Sequence, residues 1–564
     1  MSLRTLLLAP ILLTTFCTTP QTENRTRGTL SKNGMVVSAH ILASEAGKET
    51  LQSGGNAFDA AVVTHFVLAV VYPQAGNIGG GGFAVFRLGN GENGSLDFRE
   101  KAPMASNENM YLDENGEVIE DSSLVGHLAV GVPGSVDGLY KLHRKYGKLS
   151  WPSLIQPAID LAKNGHAINQ TLAKELNRFK QTFLDVNQRN IPYTKSEIWQ
   201  TGDTLINRDL AKTLTTIQEK GRDGFYSGWV AEKLLNESKK GNGLIRQNDL
   251  NKYESQWRAP LIGSYKNRQI ITMAPPSAGG VTLLQMLQGS EQFNLEKSGH
   301  NTASTIHKMV EIERRGYADR ATYLGDPDFV EIPLDKLLSS SYNERKFSDI
   351  NPSKATPSNL VKEGQVDVIE SMETTHFSIL DIEGNAVAIT TTLNSYFGSK
   401  VLVEGAGFFL NNEMDDFSMK PGVPNQFGLV STEVNSIAPE KRMLSSMTPT
   451  IVEKNGRVEM ILGTPGGSTI ITSVYQAILN VVDHNMTMQE AVDAPKFHSQ
   501  WLPDKVYFEE GKFDPNLLDS LRLLGHTIEI KPAIGKLECI MVYEHGTIEG
   551  APDITRNESA ASGY

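Results

Sequence analysis

The chain has 564 residues, 39% of them hydrophobic and 21% charged, enough for a large core and incompatible with wholesale disorder. Its 53 Lys and Arg against 65 Asp and Glu leave a net charge of −12, which argues against nucleic acid as a partner of its overall field. Two cysteines, Cys17 and Cys539, exclude a four-cysteine zinc site.

In chain order, Arg4 precedes an apolar run over 6–16 that is too short to span a bilayer and has the length of a signal-peptide core. An export signal over 1–17 is expected, with Thr15 and Cys17 at the small positions before the cut. A lipidated Cys17 is the alternative, which the bulky Phe16 fits badly. Residues 18–32 are polar and read as a tether. A strand is expected over 35–40, a helix over 44–53 ending at Gly54-Gly55, and an apolar helix over 57–71. A strand follows over 83–88, then helices over 131–146 and 151–164 with Pro133 and Pro152 near their starts. Residues 170–260 are mostly amphipathic and helical. A strand at 270–274 and helices from 279 and over 304–323 lead to 351–373, a polar stretch with two prolines expected to be a flexible surface loop. Strands are then expected over 376–380, 386–393, 449–454 and 458–462. Helices outside and strands inside point to a layered α/β body, with no later run of membrane-spanning length.

Several chemistries are absent. There is no G-x-S-x-G elbow and no H-E-x-x-H. The run Gly79-Gly80-Gly81-Gly82 lacks a following Lys-Ser/Thr and leads into a strand rather than a helix, so it is neither a P-loop nor a dinucleotide site. It is either a tight crossing where only glycine fits or backbone packed close beside a pocket.

The informative stretch is 373–394. Glu383-Gly384-Asn385 is a turn between two strands, and the first strand begins at a hydroxyl just after the 351–373 loop. A hydroxyl there can attack its own preceding carbonyl and free an α-amino group. With a pKa near 7.7–8.0, that amine can serve as base for the neighbouring hydroxyl. Taken alone, an ordinary threonine-rich strand pair is the plainer reading.

The wider sequence, from about residue 33 to the end, resembles the gamma-glutamyltransferase (glutathione hydrolase) family of N-terminal-nucleophile hydrolases, most closely its exported bacterial members. The likeness rests on Gly54-Gly55-Asn56-Ala57-Phe58-Asp59, Pro73-Gln74-Ala75-Gly76-Asn77, Asp97-Phe98-Arg99-Glu100, Tyr317-Ala318-Asp319-Arg320, Glu373-Thr374-Thr375-His376-Phe377-Ser378, Leu410-Asn411-Asn412-Glu413-Met414-Asp415-Asp416, Leu444-Ser445-Ser446-Met447-Thr448-Pro449 and Gly463-Thr464-Pro465-Gly466-Gly467. It implies a four-layer αββα sandwich and a cut between Glu373 and Thr374. That cut leaves a large piece, 33–373, and a small one, 374–564, interlocked as a heterodimer.

The resemblance implies that Thr374 is the nucleophile, tuned by the Thr392 hydroxyl, and that Gly466 and Gly467 form the oxyanion hole. Arg99, Ser445 and Ser446 would hold the donor's α-carboxylate, and Asn394, Glu413 and Asp416 its α-ammonium. Glu413 stands where some bacterial relatives carry glutamine. The segment 421–441, with Gln426-Phe427-Gly428, corresponds to a loop over the pocket. No metal or organic cofactor is expected. The implied reaction transfers a glutamyl group from glutathione or similar donors to water, amino acids or peptides, in the periplasm or outside the cell. Competing readings are an acylase acting on β-lactam side chains or poly-γ-glutamate, and an unprocessed relative that only binds glutamyl compounds.

Overall fold

The computed structural model describes residues 25–361, 374–556 and 558–564. The expected signal over 1–17, Glu373 and the end of the 351–373 loop lie outside the described residues.

Fourteen strands build the centre: β1 Thr29–Ser31, β2 Met35–Ser38, β3 Gly81–Arg87, β4 Asn93–Asp97, β5 Gln256–Arg258, β6 Leu261–Tyr265, β7 Arg268–Thr272, β8 Thr374–Leu380, β9 Ala386–Thr392, β10 Thr450–Lys454, β11 Arg457–Leu462, β12 Glu538–Val542, β13 Ile548–Pro552 and β14 Ala560–Gly563. They form two seven-stranded sheets, in the orders β14-β2-β8-β9-β3-β4-β5 and β1-β13-β12-β11-β10-β7-β6. Both sheets mix segments from before and after Thr374, so the two expected pieces share every layer.

Alternation along the strands creates the layers. In the first sheet Met35, Val37, Phe83 and Val85 face inward and meet Ile271, Ile451, Ile461 and Ile540 of the second. Their neighbours Val36, Ala84, Phe377 and Ile379 face outward into a core shared with helices α1 Ile41–Gln52, α2 Ala57–Val71, α3 Ser135–Tyr146 and α4 Trp151–Asn164. On the far side Ile270, Val452, Met460 and Leu462 pack under α5 Gly279–Glu291, α6 Ala303–Tyr323 and α7 Thr469–Val482. The result is the expected αββα sandwich.

Helix α2 is buried along its whole length and opens with a capping box between Asn56 and Asp59. Asp381 ties it to the β8–β9 turn. Its carboxylate accepts the N–H groups of Ala57 (2.9 Å), Glu383 (2.9 Å) and Asn385 (2.9 Å).

Some expectations are corrected. The 18–32 stretch is not a free tether over its described part. Thr29–Ser31 pairs with Ile548–Gly550, and Arg27 meets the buried Glu549 carboxylate. Polar composition hid a strand whose partners lie more than 500 residues away. The helix expected from 131 begins at Ser135, after Pro133. The strand at 35–40 stops at Ser38, because His40 turns to cap α1 by accepting the Leu42 N–H at 3.2 Å. The 351–373 loop is anchored at its start. Ser358 is buried, and its N–H and hydroxyl bond Asp504 (2.8 Å) and the Trp501 carbonyl (2.5 Å).

Candidate active site

The β8–β9 hairpin places Thr374 directly opposite Thr392. The Thr374 hydroxyl donates to Thr392 Oγ1 at 3.4 Å, and Thr392 Oγ1 also accepts the Asn394 N–H at 2.8 Å. The glycine run holds this edge in place. A Cβ on Gly80 would lie 2.0 Å from the Thr392 carbonyl oxygen, and one on Gly82 2.3 Å from that of Thr390. Asn77 adds hydrogen bonds to Thr391 Oγ1 (3.1 Å) and the Thr392 carbonyl (3.0 Å). The run is therefore a tight crossing that also braces the pocket wall.

Thr374 opens into a small cavity with about 20 Å³ of free space. Of the residues expected at the site, Thr374, Thr392, Asn394, Glu413, Asp416, Ser446 and Gly467 line it. Gly466, Ser445 and Arg99 do not. Gly466 (φ +136) and Gly467 (φ +53) lead into the N-terminus of α7, and the Gly466 carbonyl accepts from the Thr469 N–H (3.0 Å) and hydroxyl (2.7 Å). Their N–H groups thus stand at the positive end of a 14-residue helix. Ser445 is buried behind Ser446, with its hydroxyl accepting the Met447 N–H at 3.2 Å.

Arg99 departs most from expectation. Its guanidinium is fully buried and paired with both Glu413 and Asp416, and it also donates to the carbonyls of Met443 (3.4 Å) and Leu444 (3.3 Å). The groups expected to read opposite ends of a zwitterion pair with one another in a buried cluster. Burial opposes the Arg99 charge, yet Glu413, Asp416 and Glu100 together hold its pKa above the ordinary value. The acids respond in the opposite sense. Burial raises Glu413 well above the carboxylate range despite Arg99, raises Asp416, and pushes Glu100 up to about 7.

Arg320, at the end of α6, is a site residue to which the sequence reading gave no role. It lines the cavity beside Thr374, and its Nη2 donates to Ser446 Oγ at 3.2 Å. No carboxylate pairs with it among the described residues, its Nε is buried without an acceptor, and burial pushes its pKa down to about 10. Its signal lay in the Tyr317–Arg320 motif, but nothing in the spacing ties that motif to Thr374. Phe427 and Leu429, from the 421–441 segment, close the cavity. This loop is bonded on three sides. Asn425 donates to Asp416 (3.1 Å), Ser395 donates to Gln426 Oε1 (2.7 Å), and Gln500 donates to the Phe427 carbonyl (3.0 Å).

A cluster of metal-ligand type is buried elsewhere, formed by His307 and Glu311 of α6 with His526 packed against them. Glu311 is already held by Arg315 (2.7 Å) and the Thr356 N–H (3.0 Å), and the two histidines bond each other at 2.8 Å.

Two seven-stranded sheets between helical layers, with a threonine at the first position of a central strand facing a pocket, define the fold of the N-terminal-nucleophile hydrolases. A solved cephalosporin acylase from Bacillus halodurans has this fold, with a TM-score of 0.81 over 97% of this chain and 99% of its own, at 24% identity. The profile described as Gamma-glutamyltranspeptidase matches residues 43–563, and the chain belongs to that family. Among its relatives, a glutathione hydrolase proenzyme of Escherichia coli (strain K12) is 42% identical over 536 residues, covering 95% of this chain and 92% of its own. One from Pseudomonas sp. (strain A14) is 44% identical over 550 residues, covering 95% of both.

Proposed function

We propose that this chain is a self-processing glutathione hydrolase and γ-glutamyl transferase. The observation that carries the reading is the Thr374–Thr392 hydroxyl pair, set in one pocket with Gly467, Ser446 and both signs of buried charge. The two named glutathione hydrolase relatives support it.

In processing, Thr374 Oγ attacks the Glu373 carbonyl and the C–N bond breaks. The resulting ester hydrolyses, leaving a Glu373 carboxylate and a free Thr374 amine. In turnover, that amine takes the hydroxyl proton while Oγ attacks the donor's γ-carbonyl. The tetrahedral oxyanion is met by backbone N–H groups of Gly466 and Gly467 at the start of α7. The proton passes to the leaving amine, and water or an amino group then releases the glutamyl ester. Arg99, Ser445, Ser446, Asn394, Glu413 and Asp416 read the donor's α-carboxylate and α-ammonium once the empty-site ion pairs open. A plain acyl group would leave those charges unpaired, which is why a glutamyl donor is favoured over an acylase substrate.

The deciding experiment compares purified protein with Thr374→Ala. Two bands, the smaller beginning Thr-Thr-His-Phe and absent from the variant, with turnover of a γ-glutamyl anilide, are expected. A single stable band without turnover overturns the enzyme reading in favour of a binding relative. Turnover of a β-lactam side chain but not of the anilide favours the acylase. We also propose export through the 1–17 segment, tested by the N-terminus of secreted protein. A lipid on Cys17 would appear there as added mass.

A further inference from the structure

A second cavity, larger than the one beside Thr374, opens elsewhere in the fold. It holds about 690 Å³ of free space, within the range of small-molecule sites, whereas the nucleophile's pocket holds about 20 Å³. It sits at the other end of β11. The glycine pair follows the end of that strand, and the cavity opens at its start, about 20 Å away along six residues. Its walls are the β10–β11 turn at 454–457, the β12–β13 turn at 543–546 and the loop after α7 at 485–487.

Two features give it chemical character. Its inner surface carries an apolar patch, with Val458 and Met541 buried and Met486 half-buried. Its rim is cationic on a chain of net charge −12: Arg25, Arg268, Lys454 and Arg457 stand against Glu459 and Glu544. Two of these cations are occupied. Arg268 holds Glu459 through two bonds at 2.9 and 3.1 Å, and Arg25 lies 3.5 Å from Glu490. The other two are available. Lys454 pairs at 2.9 Å with Glu544, whose side chain is 82% exposed, and such a pair is worth little. Arg457 is exposed and has no ion-pair partner among the described residues.

We propose that this cavity binds a small amphipathic anion, a carboxylate or sulfonate whose aliphatic or aromatic body rests on Val458, Met486 and Met541 and whose acid group is held by Arg457 and Lys454. The guanidinium offers a carboxylate two parallel bonds, and the apolar floor removes the body from water. A neutral molecule of the same shape gains only the second term. A cation is repelled by the rim.

The test is calorimetric titration of the purified, processed protein with 1-naphthoate and with its neutral amide, in wild type and in Arg457→Glu and Lys454→Glu. Saturable one-site binding of naphthoate is expected, with the amide weaker by about tenfold or more. Each charge reversal should weaken naphthoate by about tenfold or more, while anilide turnover stays unchanged because neither residue belongs to the nucleophile's pocket. No saturable binding overturns the proposal. So does equal binding of acid and amide, or naphthoate binding untouched by both reversals, which would place the ligand elsewhere.

Discussion

Thr392 Oγ1 lies 3.4 Å from Thr374 Oγ1 across the hairpin and accepts the Asn394 N–H at 2.8 Å. One oxygen thus meets the Thr374 hydroxyl, the proposed nucleophile, and fixes the backbone where the strand leaves the sheet. Thr392→Val keeps the shape and removes both bonds. Turnover of a γ-glutamyl anilide should fall by about a hundredfold, the scale of losing one aligned hydrogen bond at a reacting centre. Stability should fall by about 1–3 kcal/mol for the orphaned N–H. Thr392→Ser should recover most of both. If Val and Ser behave alike, the hydroxyl has no part in the chemistry.

The hairpin, the glycine run and most of the pocket were legible in the sequence because they are local or carried by contiguous motifs. Thr374 and Thr392 are brought together by a turn that Glu383-Gly384-Asn385 announces. The pairing of Arg99 with Glu413 and Asp416 was not legible. It spans more than 300 residues, and it arises because buried opposite charges pair with one another. Arg320 was missed for a related reason, since a helix terminus reaches Ser446 only through tertiary packing. The β1 strand was missed because its polar composition says nothing of Ile548–Gly550.

Gly467 has a φ of +53, and a Cβ built on it would lie 2.4 Å from the Phe427 ring. Gly467→Ala should therefore displace Phe427 and shift the N–H groups before α7, lowering kcat by about 10²–10³. Pairing it with Phe427→Ala separates the two effects. The double variant removes the clash and should regain thermal stability, but the left-handed backbone still costs about 1–2 kcal/mol and kcat should stay low. Recovery of kcat in the double variant would make the ring contact, not the backbone, the cause.

Arg320 is a buried cation that donates to Ser446 Oγ and pairs with no carboxylate among the described residues. An unpaired buried charge destabilises the empty protein, and its place beside Thr374 suits it to a donor's carboxylate. Arg320→Met should raise the melting temperature of the empty enzyme and raise KM by about 10–100-fold, with a smaller effect on kcat. A lower melting temperature with unchanged KM would make Arg320 a purely structural residue.

Three buried carboxyls, Glu100, Glu413 and Asp416, surround the single Arg99 guanidinium, and both oxygens of Glu100 lack a hydrogen-bond partner. With all three ionised the buried cluster carries excess negative charge, so a proton remains bound near neutrality. Burial raises Glu100 from 4.5 to about 7 against the pull of Arg99. The native state then binds more protons than the unfolded chain between those values, and stability must fall as pH rises through that window. The contribution is complete below about pH 4.5 and lost above about pH 7. Glu100→Gln keeps the shape and cannot ionise, so its urea midpoint should decline less between pH 5 and 8 than the wild type's. Some decline should remain, because Glu413 and Asp416 are raised in the same sense. Parallel declines in the two proteins would place the retained proton on one of those carboxyls instead. Glu413→Gln, measured over the same range, would then show the flatter curve.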